Sequence, residues 1–217
     1  MIIQIAIDGP AGAGKSTIAK LLAENLGITY LDTGAMYRAL TWKVLKEAID
    51  LNDEKLIIST AKNITIEINQ KSVFIDNQDI TEAIREPIIS QNVSQVAQIA
   101  EVREIMVKLQ RKIGEEKSIV MDGRDIGTHV LPDANYKFFL TATVDERARR
   151  RALELNLKGF PSDIEEIKKE IIRRDNIDTT RKASPLKPAA DAKIIDTTNL
   201  TIDEIIDQLI NIISKGE

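Results

Sequence analysis

The chain has no cysteine, one histidine and one tryptophan, and aromatic residues fill only 4% of its 217 positions. Without cysteine there is no disulfide framework and no thiolate zinc site, and a reducing compartment, the cytoplasm, is the natural expectation. A lone histidine, His129, cannot build a multi-histidine metal centre, so it is expected to be structural and any general base to be a carboxylate. Excess positive charge is missing too: 30 Lys and Arg stand against 34 Asp and Glu, a net charge of −4. That balance does not describe a surface for a nucleic-acid polymer, and any anion must be met by a local cluster of cations. No run approaches the roughly 18 apolar residues of a membrane span, and the amino terminus lacks the basic start and cleavage site of a signal peptide. No membrane association is expected.

What is present is a chain long enough for one α/β domain carrying a smaller insert. Residues 2–7 form a β-branched apolar run without polar alternation, the pattern of a parallel strand covered on both faces. Three of only ten glycines then fall between positions 9 and 14. From Lys15 the spacing turns helical through Ile18, Leu22 and Leu26, and Gly27 stands where a helix commonly stops. A second strand is expected over 28–31, then a helix with Met36, Leu40, Val44 and Ala48 on one stripe. Residues 56–96 read as an insert, in which 64–68 and 72–75 flank Asn69-Gln70-Lys71 as an antiparallel hairpin. Within it, 76–79 is a further turn and 88–99 a returning helix.

Further strands are expected over 118–122, 136–140 and 193–195, with helices between them, one of them the strongly basic segment 146–151. Ser162 with Glu165, and Thr201 with Glu204, have the spacing of capping boxes. Strands alternating with helices predict an α/β fold with a doubly wound, mostly parallel sheet. Its core would span 1–55 and 97–217, with a small antiparallel insert at 56–96.

The residues Gly9, Pro10, Ala11, Gly12, Ala13, Gly14, Lys15 and Ser16, with Thr17 following, fit G-x-x-x-x-G-K-[ST] between a strand and a helix, the context such a phosphate loop requires. Glycines let successive backbone N–H groups close around phosphate oxygens, and the helix amino terminus adds a favourable dipole. Lys15 would reach the terminal phosphates of ATP, Ser16 would ligate Mg²⁺, and Thr17 would add a donor. Asp122 closes a strand, where a carboxylate can act at the metal or cap a turn; Asp8 has similar alternatives. A small phosphorylated acceptor needs convergent arginines, and Arg38, Arg124, Arg174 and Arg181 are the candidates. On the basic helix Arg147, Arg150 and Arg151 lie within about 100° of one another, a face able to cover ATP phosphates or to pair with Glu146 and Glu154.

Taken together, five segments resemble the bacterial cytidylate kinases, a branch of the nucleoside-monophosphate kinases. They are 7–17, 31–38, Val93-Ser94-Gln95-Val96-Ala97, Met121-Asp122-Gly123-Arg124-Asp125-Ile126-Gly127-Thr128, and 173–192 with Asp178 and Arg181. Thr33 stands where some relatives have serine, which keeps the hydroxyl. The resemblance implies phosphorylation of CMP or dCMP by ATP, with a lid at about 147–185. It places Ser94, Arg103 and Asp125 at the cytosine, Thr33, Arg174 and Asp178 near the sugar, and Arg38, Arg124 and Arg181 at the acceptor phosphate, with Tyr37 packed nearby. Lys15, Asp122, Arg124 and Arg181 are the expected catalytic groups, Arg147 and Arg150 the lid's contribution to ATP, and a monomer the expected state. A kinase for another small acceptor on the same fold is the nearest alternative. A GTP-hydrolysing switch lacks its Asn-Lys-x-Asp segment here.

Overall fold

A computed structural model describes residues 2–69 and 72–216. Five parallel strands form the central sheet: β1 (Gln4–Asp8), β2 (Thr29–Asp32), β6 (Ile119–Gly123), β7 (Tyr136–Thr141) and β8 (Lys193–Asp196), in the order β2-β6-β1-β7-β8. Both faces of the central strands are covered, so Ile5, Ala6, Ile7, Ile119, Val120 and Met121 are all fully buried. That double burial is why these segments read as continuous apolar runs. One face packs on α1 (Lys15–Leu26) and α8 (Ile202–Lys215) through Ile18, Leu22, Ile205 and Leu209. The other face, carrying Ala6, Leu31, Ile119 and Met121, meets Ile126, Val130 and Leu131. Among the described residues no helix is long and apolar enough to cross a membrane.

The remaining helices are α2 (Thr33–Lys46), α3 (Glu54–Asn63), α4 (Pro87–Ala97), α5 (Ala100–Glu116), α6 (Val144–Leu157) and α7 (Ile164–Thr180). A small antiparallel sheet joins β3 (Ile66–Ile68), β4 (Val73–Ile75) and β5 (Gln78–Asp79). In the connection Asn69-Gln70-Lys71, Gln70 and Lys71 lie outside the described residues. The turn expected over 76–79 is confined to Asp76 and Asn77, both at positive φ, the two-residue geometry that aspartate and asparagine tolerate; Gln78 and Asp79 already pair back as β5.

Three local readings change. Helix α3 was not expected; Asp53 caps it by accepting from the Leu56 N–H, and it buries only Ile57 and Ala61, too sparse a stripe to stand out. Helix α2 stops at Lys46, so Ala48 lies beyond it with φ 53°. The cap of α7 is Asp163, which accepts from Glu165 N and Glu166 N, while Ser162 donates back to the Ala152 carbonyl and to Asn156. An aspartate one residue closer to the helix outcompetes the hydroxyl. At α8 the capping box of Thr201 and Glu204 forms as expected.

Candidate active site

The carboxyl ends of β1, β2 and β6 lie side by side, with Ile7 and Asp32 both in register with Asp122 and Asp8 with Gly123. Loops leaving these ends wall a cleft of about 700 Å³, as expected at the carboxyl edge of an open parallel sheet. One of its walls is the turn from β1 to α1. There Gly9 has φ +145°, and a Cβ on it would come within 2.0 Å of the Leu140 carbonyl oxygen, so the strand can turn against β7 only as glycine. Lys15 donates to the Pro10 carbonyl at 2.8 Å. Burial, with the Arg124 charge nearby, brings its pKa down to about 7.

Next to it the Ser16 hydroxyl donates to Asp122 Oδ2 at 2.9 Å, and Tyr30 donates to Oδ1 at 2.9 Å. Burial and the neighbouring Asp32 push the Asp122 carboxyl up to about 6. Asp8 has a different employment. Its two oxygens accept from Ile126 N and Gly127 N, both at 2.8 Å, fixing the π-turn over Ile126–Val130. Of the two aspartates, only Asp122 reaches the serine of the loop. Among the described residues no three His, Cys, Asp or Glu gather into a metal cage. His129 contacts the Thr128 hydroxyl at 2.9 Å and does not line the cleft.

Another wall begins at the start of α2. Thr33 donates to the Asp122 carbonyl at 2.6 Å, and Asp32 caps the helix through Oδ1 while its Oδ2 meets Arg38 at 2.6 Å and Arg85 at 3.3 Å. Burial alone would raise the Asp32 carboxyl, but the charges of Arg38 and Arg85 outweigh it and hold it below the ordinary range. Farther along, Arg103 on α5 pairs with Asp125 at 2.5 Å and lies 5.3 Å over the Tyr37 ring; Ser94 on α4 is buried and lines the same cleft. From α7, Asp178 pairs with Arg124 at 2.9 Å, and Arg181 stands 3.6 Å from Asp178 and 3.7 Å from Asp125. Arg174 has a buried Nε with no partner among the described residues, and burial, reinforced by the Arg124 charge, lowers its pKa to about 10.

Nearly every residue singled out from sequence lines this cleft: 11–17, Thr33, Tyr37, Arg38, Ser94, Arg103, Asp122, Arg124, Asp125, Arg150, Arg174, Asp178 and Arg181. Gly9, Pro10 and Arg147 do not. Arg147 is buried, with all three kinds of guanidinium nitrogen donating to protein oxygens: Nε to Ala142 O at 3.0 Å, Nη1 to Ala11 O at 3.1 Å and Nη2 to Asp175 at 2.6 Å. Arg150 reaches Glu146 at 2.8 Å and the Thr197 carbonyl at 2.6 Å, and Arg151 pairs with Glu154 at 2.8 Å. The sequence reading passed over Asp32 and Arg85. Asp32 was visible as the residue before Thr33-Gly34, but Arg85 is one arginine among many until the insert folds it against the sheet.

A parallel sheet carrying this loop, a helical cover and a small antiparallel insert define the chain as a P-loop kinase in fold. The shikimate kinase from Acinetobacter baumannii, solved with shikimate, shares that fold at a TM-score of 0.51 and 14% identity, covering 100% of this chain and 96% of its own. A family model described as cytidylate kinase matches residues 5–215. The cytidylate kinase of Alkaliphilus oremlandii is 58% identical over 214 residues, 99% of this chain and 98% of that protein. That of Caldanaerobacter subterraneus is 57% identical over 216 residues, 100% and 96%. The chain belongs to the cytidylate kinase family and is a phosphotransferase.

Proposed function

We propose that the chain transfers the γ-phosphoryl group of ATP to CMP and dCMP, yielding ADP with CDP or dCDP, by direct in-line displacement. The observation that carries this reading is the buried pair Asp125 and Arg103 in the same cleft as the phosphate loop. Cytosine presents an amino donor at N4 where uracil presents an acceptor, so the Asp125 carboxylate bonds the first and is left unpaired by the second. Arg103 and Ser94 supply donors for the remaining base acceptors. Thr33, Arg174 and Asp178 face the sugar, and Arg38, Arg124 and Arg181 the acceptor phosphate. Tyr37 packs behind the base.

On the donor side, backbone N–H groups of 11–17 hold the ATP phosphates, with Lys15 and Arg150 adding positive charge. Ser16 and Asp122 are a hydroxyl and a carboxylate in contact, hard oxygen donors suited to Mg²⁺, which commonly takes one or two such protein ligands and completes its shell with phosphates and water. Bound there, Mg²⁺ would neutralise charge on the phosphates of the donor. The arginines do the same for the acceptor, so two anions can meet in line and the charge spread over the moving group is stabilised. No covalent enzyme intermediate is needed, and a closed helical cover keeps water from competing as acceptor. The reading carries with it a monomer working in the cytoplasm.

An ADP-release assay across CMP, dCMP, UMP and AMP tests it. CMP and dCMP should be turned over fastest, EDTA should abolish the reaction, and excess Mg²⁺ should restore it. Preference for any other monophosphate would transfer the chain to the neighbouring reading, a kinase of another small acceptor.

A further inference from the structure

Arg147 and Asp175 stand outside the chemistry just described, yet they join its two halves. Among the described residues Arg147 is the one side chain that hydrogen-bonds both the phosphate loop, at Ala11 O, and helix α7, at Asp175. It is buried, and its third contact, to Ala142 O at 3.0 Å, anchors it at the exit of β7. The fit is close: Gly12 has φ +78°, and a Cβ on it would lie 3.0 Å from Arg147 Cβ and 3.1 Å from its carbonyl oxygen.

We propose that the Arg147–Asp175 pair positions α7 against the phosphate loop, so that filling the donor site raises affinity for the acceptor. This rests on the proposed function. Its physical basis is two rigid bodies. The peptide between Ala11 and Gly12 is trans, so holding the Ala11 carbonyl toward Arg147 turns the Gly12 N–H the opposite way. Gly12 lines the cleft, and that N–H is one of the donors a phosphate needs. A bound phosphate that fixes this peptide therefore fixes the carbonyl that Arg147 grips.

The other body is α7. Arg174 precedes Asp175, and Asp178 follows within one turn, so a tether at Asp175 sets where both acceptor-side groups sit. Asp175 holds Arg147 through Oδ2 alone; Oδ1 is buried and makes no hydrogen bond among the described residues. That single hydrogen bond ties the phosphate loop to α7 through Arg147, beside the apolar packing of Ala148 on Ile167 and Ile171 that holds α6 to α7. Arg147 is accordingly a positioning residue, and its guanidinium is committed to protein oxygens instead of to nucleotide. Coupling of this kind is reciprocal, and between two sites it typically amounts to about 5- to 150-fold in affinity.

The experiment is calorimetric titration of CMP into the full chain, with and without saturating Mg²⁺ and the non-hydrolysable ATP analogue AMP-PNP. In the wild type the analogue should tighten CMP at least about fivefold. In Asp175→Asn, which keeps size and loses charge, that gain should fall below about twofold while the affinity for AMP-PNP alone stays within about twofold of wild type. Steady-state kinetics should show the same split, with KM for CMP raised and KM for ATP little changed. Arg147→Lys, which keeps the charge but cannot reach three oxygens at once, should show the same loss and serves if the first variant does not fold. An undiminished gain in a folded variant, or no gain in the wild type, overturns the inference. A wild type that makes no CDP from ATP and CMP overturns the proposed function instead.

Discussion

At the scale of single residues, Asp125 is asked to do two things with one carboxylate. It neutralises Arg103 at 2.5 Å in a buried setting, and in the proposed complex it also accepts the cytosine amino group. Removing it leaves Arg103 buried without its counter-charge, which typically costs about 3–5 kcal/mol. Asp125→Ala is therefore expected to lose about that much stability in urea denaturation, and to lower kcat/KM for CMP at least about 100-fold while affecting UMP far less. Equal losses for the two substrates would remove Asp125 from base selection.

Asp8 gives a second test. Burial pushes its carboxyl up to about 6, against two backbone N–H bonds, from Gly127 and Ile126, that pull the other way. A carboxyl with a raised native pKa is held more readily protonated by the folded state, so its contribution to stability is full below about pH 4 and declines as pH rises to about 6. The amount is about 3 kcal/mol. Carbon-13 titration of the Asp8 carboxyl should give a midpoint near 6; one below about 4.5 would mean the two N–H bonds dominate. The sequence showed Lys15 and Ser16 plainly, because one short loop fixes their spacing. It could not show Asp32 with Arg85, or Arg147 with Asp175, whose meeting depends on how segments 53 and 28 residues apart pack together.

At the scale of elements, the strands were legible wherever burial on both faces made the run apolar, and the helices wherever one stripe was continuous. Helix α3 escaped because its buried stripe is two residues. The start of α7 was misassigned by one residue, because spacing alone does not decide between two adjacent capping side chains. That difference can be measured. Asp163→Ala should lower stability by about 1 kcal/mol, whereas Ser162→Ala should change the urea midpoint little. The reverse ranking would restore the serine as the cap.

At the scale of the whole molecule, a net charge of −4 coexists with a cleft lined by Arg38, Arg85, Arg103, Arg124, Arg150, Arg174 and Arg181. Clustered cations within low-dielectric walls focus a local positive field that the overall balance hides. Because such attraction is screened, KM for both nucleotides should rise severalfold between roughly 50 and 300 mM salt while kcat moves little. A salt-independent KM would show that the cleft charges are internally cancelled. The same scale shows the cover resting on the insert: Arg151 donates to Ser90 at 3.2 Å and Arg173 to the Gln91 carbonyl at 3.0 Å, so α6 and α7 both touch α4 across the opening.

On the proposed function, the ion pairs on the acceptor side would bear on release as well as on binding. Arg38 waits against Asp32, and Arg124 and Arg181 against Asp178. In the proposed complex an arriving phosphate would exchange one anionic partner for another instead of meeting bare guanidinium groups. Only the difference between the two partnerships appears as affinity. A departing diphosphate would therefore leave arginines whose former partners are already within reach. An enzyme that must discharge its product on every cycle would be served by cations that, like Arg38, Arg124 and Arg181, have a carboxylate to return to.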